Sequence, residues 1–235
     1  MKKNQFDNFD EFAHNYRDIH NEQTRLLGVE SDYFADFKVK EMARLEGDNA
    51  NKPMHILDYG CGDGIVSRIF SKYFKNSRVT GVDVSSESIA VARSKPAQNV
   101  SYSIIQGDDI PLPDQSVDII FIAMVLHHIN FNKHQAIISE FLRVLVPGGR
   151  LYIFEHNPFN PVTRYFVNTC PFDEDAQLLS PSYLTKMLRL NQLGLIDVSY
   201  LFFLPRHRVL KSLLFIENYL RWLPLGGQYC TKAVK

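Results

Sequence analysis

Short apolar runs recur along the chain and predict seven β-strands. The run at 118–123 is almost wholly apolar, which is typical of a strand covered on both faces. The predicted strands are residues 56–58, 79–84, 100–105, 118–123, 151–155, about 194–204 and 228–234. Residues 5–47 precede them and predict two or three helices.

Two connections between the predicted strands are unusually long. Most connections in compact domains need only about two to six residues, so their lengths require a reason. Ligands of doubly wound sheets bind at the carboxyl ends of the strands. We therefore expect inserts at about 157–180 and 205–227 to cover an active site within a core at 51–235. Residues 1–50 predict an N-terminal helical lid.

The second of these inserts has an amphipathic pattern that predicts a helix at about 206–223. Its apolar residues recur on one side at helical spacing, and several others are basic. The apolar residues are Val209, Leu210, Leu213, Leu214, Leu220 and Leu223, and the basic ones are Arg206, Arg208, Lys211 and Arg221. Packing on its own domain, contact with a lipid-like substrate or a membrane surface, and a dimer contact all remain open for this helix.

A glycine-rich turn follows the first predicted strand. Gly60, Gly62 and Gly64 alternate between Asp58 and the start of a helix, so no Cβ atom keeps a ligand from the backbone. Position 65 is Ile, whereas a dinucleotide fingerprint requires glycine there and a phosphate-binding loop requires lysine. The turn predicts a cradle for a nucleoside-sized ligand that is not strongly anionic. A turn without a ligand is the alternative.

Acidic residues follow the next two strands. Asp83 ends the second strand, where a carboxylate accepts hydrogen bonds from the two hydroxyls of a ribose. The third strand leads into a polar turn at 106–113, from which a carboxylate can meet the exocyclic amine of a base. Both positions agree with a nucleoside cofactor.

Five motifs follow one another along residues 55–156. They are the loop from Asp58 to Gly64, the acid at Asp83, the Gly-Asp-Asp turn at 107–109, the segment Leu126-His127-His128-Ile129, and Pro147-Gly148-Gly149. In this order they resemble the class I S-adenosylmethionine-dependent methyltransferases, of the type 11/12-like group. The resemblance implies an α/β fold with one Rossmann-like, doubly wound, seven-stranded sheet. That sheet is mostly parallel, its last strand is antiparallel, and helical lid segments are added to it.

The resemblance also implies S-adenosylmethionine as the cofactor and S-adenosylhomocysteine as the product. The glycines would pack under the methionine and ribose, Asp83 would bind the ribose, and Asp108 would bind the adenine amine. Tyr59 would shape the methionine end of the site. The implied cofactor-binding residues are Asp58, Tyr59, Gly60, Gly62, Gly64, Asp83, Val84, Asp108, Asp109, Ile110 and Ala123.

Methyl transfer from a sulfonium is an in-line displacement, so the acceptor must be aligned and an O or N nucleophile deprotonated. His156 is the first candidate base, because it directly follows the fifth strand and an imidazole pKa near ~6.5 suits the task. His128 is the second candidate. Tyr16 resembles the aromatic position of N-terminal lids in the family. A backbone-bonding role for His128 and a loop-orienting role for His156 are the alternatives.

The histidines do not predict a metal site. His127 and His128 are adjacent, so we expect their side chains to diverge, and no carboxylate follows at ligand spacing. Asp173, Glu174 and Asp175 predict a solvated loop, or a contact with a cationic acceptor. We therefore expect no bound metal.

Composition narrows the class of partner. The chain has 235 residues and 45% hydrophobic content, which favours one large core. Basic and acidic residues are equal in number, 26 of each, which argues against a nucleic-acid partner. Cys61, Cys170 and Cys230 are far apart and fit a reducing, cytoplasmic setting. No apolar signal region follows Met1, and no run approaches the ~18 apolar residues of a membrane span.

The expected function is S-adenosylmethionine-dependent methyl transfer (EC 2.1.1.-) to a small-molecule or sugar- or lipid-linked acceptor. An inactive cofactor-binding regulatory or partner protein is one alternative. Transfer of another group from a modified cofactor, with Arg164 placed to pair with an extra carboxylate, is the other. We expect a monomer or homodimer without a transmembrane segment, with contact to a membrane surface left open.

Overall fold

A seven-stranded sheet forms the centre of the computed structural model, which describes residues 31–107, 109–171, 173 and 175–235. Its strands are β1 (His55–Tyr59), β2 (Arg78–Asp83), β3 (Val100–Ile104), β4 (Val117–Ala123), β5 (Leu145–His156), β6 (Gly194–Leu201) and β7 (Gln228–Val234). Their order is β3-β2-β1-β4-β5-β7-β6. The pairings among β1 to β5 are parallel, whereas β7 is antiparallel to both of its neighbours. The predicted fold class is confirmed.

Helices cover both faces of the sheet. They are α1 (Ser31–Glu46), α2 (Ile65–Tyr73), α3 (Ser86–Ser94), α4 (Phe131–Val144), α5 (Pro161–Thr169), α6 (Pro181–Leu190) and α7 (Glu217–Leu220), with 3-10 turns at Gly47–Asn51, Leu126–His128 and Arg208–Ile216. Local sequence explains several helix starts. The side chains of Ser85, Asn160 and Ser180 accept backbone N–H groups of the first turns. Proline then occupies the first position of α5 and of α6.

Two cores lie on opposite faces of the sheet, because successive strand residues point to opposite sides. On one face Phe121 of β4 packs with Met42 of α1 and Phe70 of α2, and the rings of Phe70 and Phe121 are 5.3 Å apart. On the other face Ile120 packs with Phe141 of α4. This double cover explains why β4 is apolar along almost its whole length.

Two strand boundaries differ from the prediction. β5 begins at Leu145 rather than 151, so the expected turn at 147–149 lies inside the strand. Gly148 has a φ of +75°, and the register with β4 shifts at this end, so the turn is a local irregularity in a continuing strand. β6 ends at Leu201 rather than 204, and Phe202 directly after it has a left-handed φ of +62°.

The single helix predicted at 206–223 is wrong. The segment forms the 3-10 turn Arg208–Ile216 and then the short helix α7. Glu217 explains the break, because its buried carboxylate accepts N–H groups from Phe203 and Leu204 and so ties α7 back to the end of β6. Val209, expected on the apolar side of the helix, is 85% exposed.

The segment after β6 packs on α1. The guanidinium of Arg206 pairs with Glu217 at 2.7 and 2.8 Å and lies 5.1 to 5.6 Å from the rings of Tyr33, Phe37 and Phe202. These contacts hold the guanidinium of Arg206, whose side chain is 4% exposed, between a carboxylate and aromatic faces, which is a favourable place for a planar cation. Arg221 also pairs with Glu41 of α1.

Among the residues that the structure describes, no helix is both long enough and apolar enough to cross a membrane. Tyr16, Asp108 and the first thirty residues of the expected N-terminal lid lie outside the described residues.

Candidate functional site

Three glycines shape the turn between β1 and α2. Gly60, Gly62 and Gly64 have φ values of +73°, +51° and +75°, in the left-handed region that favours glycine. A Cβ atom at Gly60 would collide with Val125, and one at Gly64 would collide with the ring of Tyr102. A Cβ atom at Gly62 would meet no heavy atom of the described residues within 4 Å. The turn therefore packs tightly at its two ends and presents bare backbone at its centre.

Asp83 fixes the shape of this turn from the end of β2. Its Oδ2 accepts the N–H of Gly62 at 2.8 Å, and its Oδ1 accepts the N–H of Ser85 at 2.9 Å. The N–H of Gly60 donates to the carbonyl of Val82 at 2.8 Å. The acid predicted for the ribose thus lies beside the turn and also braces it.

Asp58 is buried beneath the turn at 2% exposure. The hydroxyl of Ser67 on α2 donates to its Oδ2 at 2.6 Å. Burial, with a smaller contribution from the charge of Asp83, raises the pKa of Asp58 to about 7. This carboxyl group therefore changes charge near neutral pH, directly below the predicted cofactor.

Three other predicted cofactor residues lie near the turn or at the next strand end. The ring of Tyr59 is buried and packs edge-on against Phe141 at 4.9 Å. The ring belongs to the core on that face of the sheet, and its place at the methionine end of the site stays a prediction. Val84 follows Asp83 and is half-buried, and Ala123 is the half-buried last residue of β4.

The turn after β3 holds the residues predicted for the adenine pocket. Asp109 is exposed and pairs through its backbone with Gln106. Ile110 is buried, and its N–H donates to Glu140 at 3.0 Å while its carbonyl accepts from Arg143 at 2.9 Å. The side chains of α4 thus fix the backbone at Ile110.

A second group of polar residues gathers at the ends of β4 and β5. Glu155 is fully buried, accepts the N–H of Leu126 at 3.0 Å and lies 2.5 Å from Nδ1 of His127. Asp173 Oδ1 lies 3.6 Å from Nε2 of His127 and 3.4 Å from Nε2 of His128. The ring of His156, half-buried at the end of β5, is 5.3 Å from that of His127.

These groups hold different charges. Burial opposes protonation of His127, but Glu155 and Asp173 overcome it and raise the pKa of His127 to about 9. Burial, followed by the charge on His127, lowers the pKa of His128 to about 3. Burial alone would raise the pKa of Asp173, but the neighbouring imidazoles lower it to about 2. Near neutral pH an imidazolium thus lies between two carboxylates, beside a neutral imidazole.

The structure corrects two expectations about this cluster. His127 and His128 do not diverge, because the 3-10 turn Leu126–His128 brings their ring centroids to 4.1 Å. Asp173 is not in a fully solvated loop, since it lies against both histidines. It arrives from 45 positions beyond His128, so no local spacing reveals it.

Glu155 and His127 are the residues that sequence reasoning missed. The available signal for Glu155 is an acid at the end of an apolar strand, the same pattern that singled out Asp83. The two predicted histidines, His128 and His156, do come together in the cluster.

The cluster and the glycine turn are neighbours. Val125, which Gly60 approaches closely, lies two residues before His127. Between Val125 and the end of β4, Met124 takes a left-handed φ of +59°. The sheet therefore presents one continuous edge, with the turn on one side and the histidine cluster on the other.

The pKa of Asp58 gives a testable pH dependence. The pKa of Asp58 is about 4 in the unfolded chain and about 7 in the folded protein. At pH values between these two, the folded protein binds more protons at Asp58 than the unfolded chain does. The free energy of unfolding should therefore fall as the pH rises across this window, by up to about 4 kcal/mol. Asp58→Asn keeps an acceptor for Ser67 and does not titrate.

Urea denaturation of both proteins at about pH 5 and about pH 8 measures the effect as a double difference. The wild type should lose more stability than Asp58→Asn between these pH values, because other titrating groups are common to both proteins. Equal losses would contradict the raised pKa.

Comparison with known proteins agrees with the motifs. A family model described as a methyltransferase domain matches residues 56–149. The demethylmenaquinone methyltransferase of Tropheryma whipplei is 35% identical over 102 residues, which cover 43% of this chain and 41% of that protein. The ubiquinone biosynthesis O-methyltransferase of Coxiella burnetii is 30% identical over 166 residues, which cover 66% of this chain and 69% of that protein.

The chain thus spans less than half the length of the Tropheryma relative and about two thirds of the Coxiella relative. A crystal structure of a SAM-dependent methyltransferase from Aquifex aeolicus shares the fold, with a TM-score of 0.62 at 20% identity over 87% of this chain and 93% of that chain. With the glycine turn, the acid at the end of β2 and the sheet order, these matches show that the chain belongs to the class I S-adenosylmethionine-dependent methyltransferase family.

Proposed function

We propose that this protein transfers the methyl group of S-adenosylmethionine to a small-molecule or sugar- or lipid-linked acceptor by in-line displacement. The observation that carries the proposal is the glycine turn, whose centre at Gly62 is open while Asp83 holds its backbone in place. The open backbone at Gly62 lies at the carboxyl end of β1, where ligands of doubly wound sheets bind, and this location supports a cofactor at the turn.

The residues present fit this cofactor. In the proposal, the turn from Gly60 to Gly64 supports the methionine and ribose, and Asp83 accepts the ribose hydroxyls. Asp109 and Ile110 border the adenine, together with Asp108. Asp58, whose pKa is raised to about 7, adds negative charge below the cationic sulfonium as the pH rises. Val84 and Ala123 border the cofactor at the ends of β2 and β4.

The acceptor belongs, in this proposal, beside the histidine cluster. His156 ends β5 and remains the first candidate to take a proton from an oxygen or nitrogen acceptor. His128 is a poor general base near neutral pH, because burial holds the pKa of His128 at about 3. The neutral imidazole of His128 instead suits a role as a hydrogen-bond partner of the acceptor or as a ligand of a metal ion.

Covering segments support an enclosed, partly apolar acceptor. Phe159, Val162 and Tyr165 follow β5 and are 63%, 55% and 64% exposed, and Trp222 in the other insert is 74% exposed. We propose that the inserts at about 157–180 and 205–227 close over such an acceptor. The names of the Tropheryma and Coxiella relatives, a demethylmenaquinone methyltransferase and a ubiquinone biosynthesis O-methyltransferase, support a small-molecule acceptor.

A labelled-methyl assay tests the proposal. Purified protein with methyl-labelled S-adenosylmethionine should transfer label into a small-molecule or lipid fraction of a cell extract. Label found only in protein or nucleic acid would contradict the proposed acceptor class. Cofactor binding without transfer into any fraction would favour an inactive regulatory or partner protein.

Gly62→Ala gives a matched test of the cradle. Alanine at Gly62 or at Gly47 takes a left-handed φ, +51° or +56°, and meets no described heavy atom within 4 Å, so both variants should lose a similar ~1–2 kcal/mol of stability. Only the methyl group at Gly62 enters the proposed cofactor site. We expect at least about a tenfold loss of S-adenosylmethionine affinity in Gly62→Ala, about 1.4 kcal/mol.

Calorimetric titration of the two variants measures this difference, with urea denaturation as the check on folding. Gly47→Ala should bind the cofactor as the wild type does. Equal affinities in both variants would place the cofactor away from Gly62.

A further inference from the structure

Three donor atoms converge at the histidine cluster. Nε2 of His127, Nε2 of His128 and a carboxylate oxygen of Asp173 all lie within 4.8 Å of one another. The two distances from Asp173 Oδ1, 3.6 and 3.4 Å, are longer than a good hydrogen bond. They match the edge of a tetrahedron around a metal ion, which is about 3.3–3.6 Å for bonds of about 2.0–2.2 Å.

Glu155 orients one of these donors. Its carboxylate lies 2.5 Å from Nδ1 of His127, so this ring nitrogen carries the proton that bonds Glu155, and Nε2 turns toward Asp173. The N–H of Leu126 holds the other oxygen of Glu155 in place at 3.0 Å. Metal-binding histidines almost always donate their second N–H to a carboxylate or carbonyl in this way.

We propose that His127, His128 and Asp173 form a binding site for a divalent transition-metal ion, with Zn²⁺ as the best match. Two imidazole nitrogens and one carboxylate oxygen suit Zn²⁺, Co²⁺ or Fe²⁺, whereas Mg²⁺ and Ca²⁺ prefer an all-oxygen set. Three protein donors also leave one position of a tetrahedron for a water or a substrate atom, as in catalytic zinc sites.

The location gives this site a consequence for the reaction. The cluster lies at the ends of β4 and β5, and Val125 connects it to Gly60 of the cofactor turn. If the proposed methyl transfer holds, a metal held by His127, His128 and Asp173 would supply Lewis-acid chemistry, lowering the pKa of an acceptor hydroxyl bound to it. Metal binding itself does not depend on that function.

The competing explanation is an ion-pair network. Without a metal, the imidazolium of His127 between Glu155 and Asp173 attaches the segment after α5 to the sheet, and a metal ion bound at Nε2 would have to displace the proton there. The two explanations differ in one measurable property. Only the metal site predicts that each chain binds one metal ion with an affinity that depends on Asp173.

Cobalt titration of the purified full chain, without a histidine tag, tests the proposal. Co²⁺ should bind one to one with the intense visible absorption of tetrahedral coordination, and Zn²⁺ should displace it. Asp173→Asn should weaken binding by more than about 100-fold, and Glu155→Gln, which removes only the orienting carboxylate, by about 10–100-fold. Asp175→Asn, at an exposed carboxylate two residues away, is the matched control and should bind as the wild type does.

His128→Gln provides a second ligand variant if Asp173→Asn fails to fold, and it should also lose the tetrahedral absorption. Absence of tetrahedral Co²⁺ absorption in the wild type would overturn the proposal. Equal affinity in the wild type and in a folded ligand variant would overturn it as well. Titration of the same samples with S-adenosylhomocysteine reports on the cofactor cradle separately, so failure of the metal site and failure of the proposed function are distinguishable.

Discussion

The carboxylate of Asp83 is the contact on which the cofactor side of the structure depends. It ends β2 and accepts the N–H groups of Gly62 and Ser85, so one side chain joins the glycine turn to the start of α3. The parallel sheet makes this possible, because β1 and β2 end at the same edge. The turn is thereby held open before any ligand arrives, which reduces the ordering that cofactor binding must otherwise impose.

Glu155 has a comparable place in the histidine cluster. It is the next-to-last residue of β5, is fully buried, and fixes both the backbone at Leu126 and the ring of His127. Two acids at two strand ends therefore organise the two halves of one edge. Asp83 holds the backbone of the glycine turn, and Glu155 holds the ring of His127.

The sequence predicted most strands well, because β1, β2, β4 and β7 are short apolar runs whose ends carry turn residues or acids. It missed the extension of β5, where proline and glycines look like a turn but continue the strand as an irregularity. It also predicted one helix at 206–223, because apolar spacing does not reveal that Glu217 turns inward and binds the backbone after β6. The contact of Asp173 with the histidines depends on the tertiary path of a long connection, which no local pattern contains.

Calorimetric titration of the wild-type protein with S-adenosylmethionine and S-adenosylhomocysteine tests the central claim most directly. The braced, open turn predicts saturable one-to-one binding of both ligands. A folded protein that binds neither ligand would contradict the account, because the turn would then be a structural feature without a cofactor.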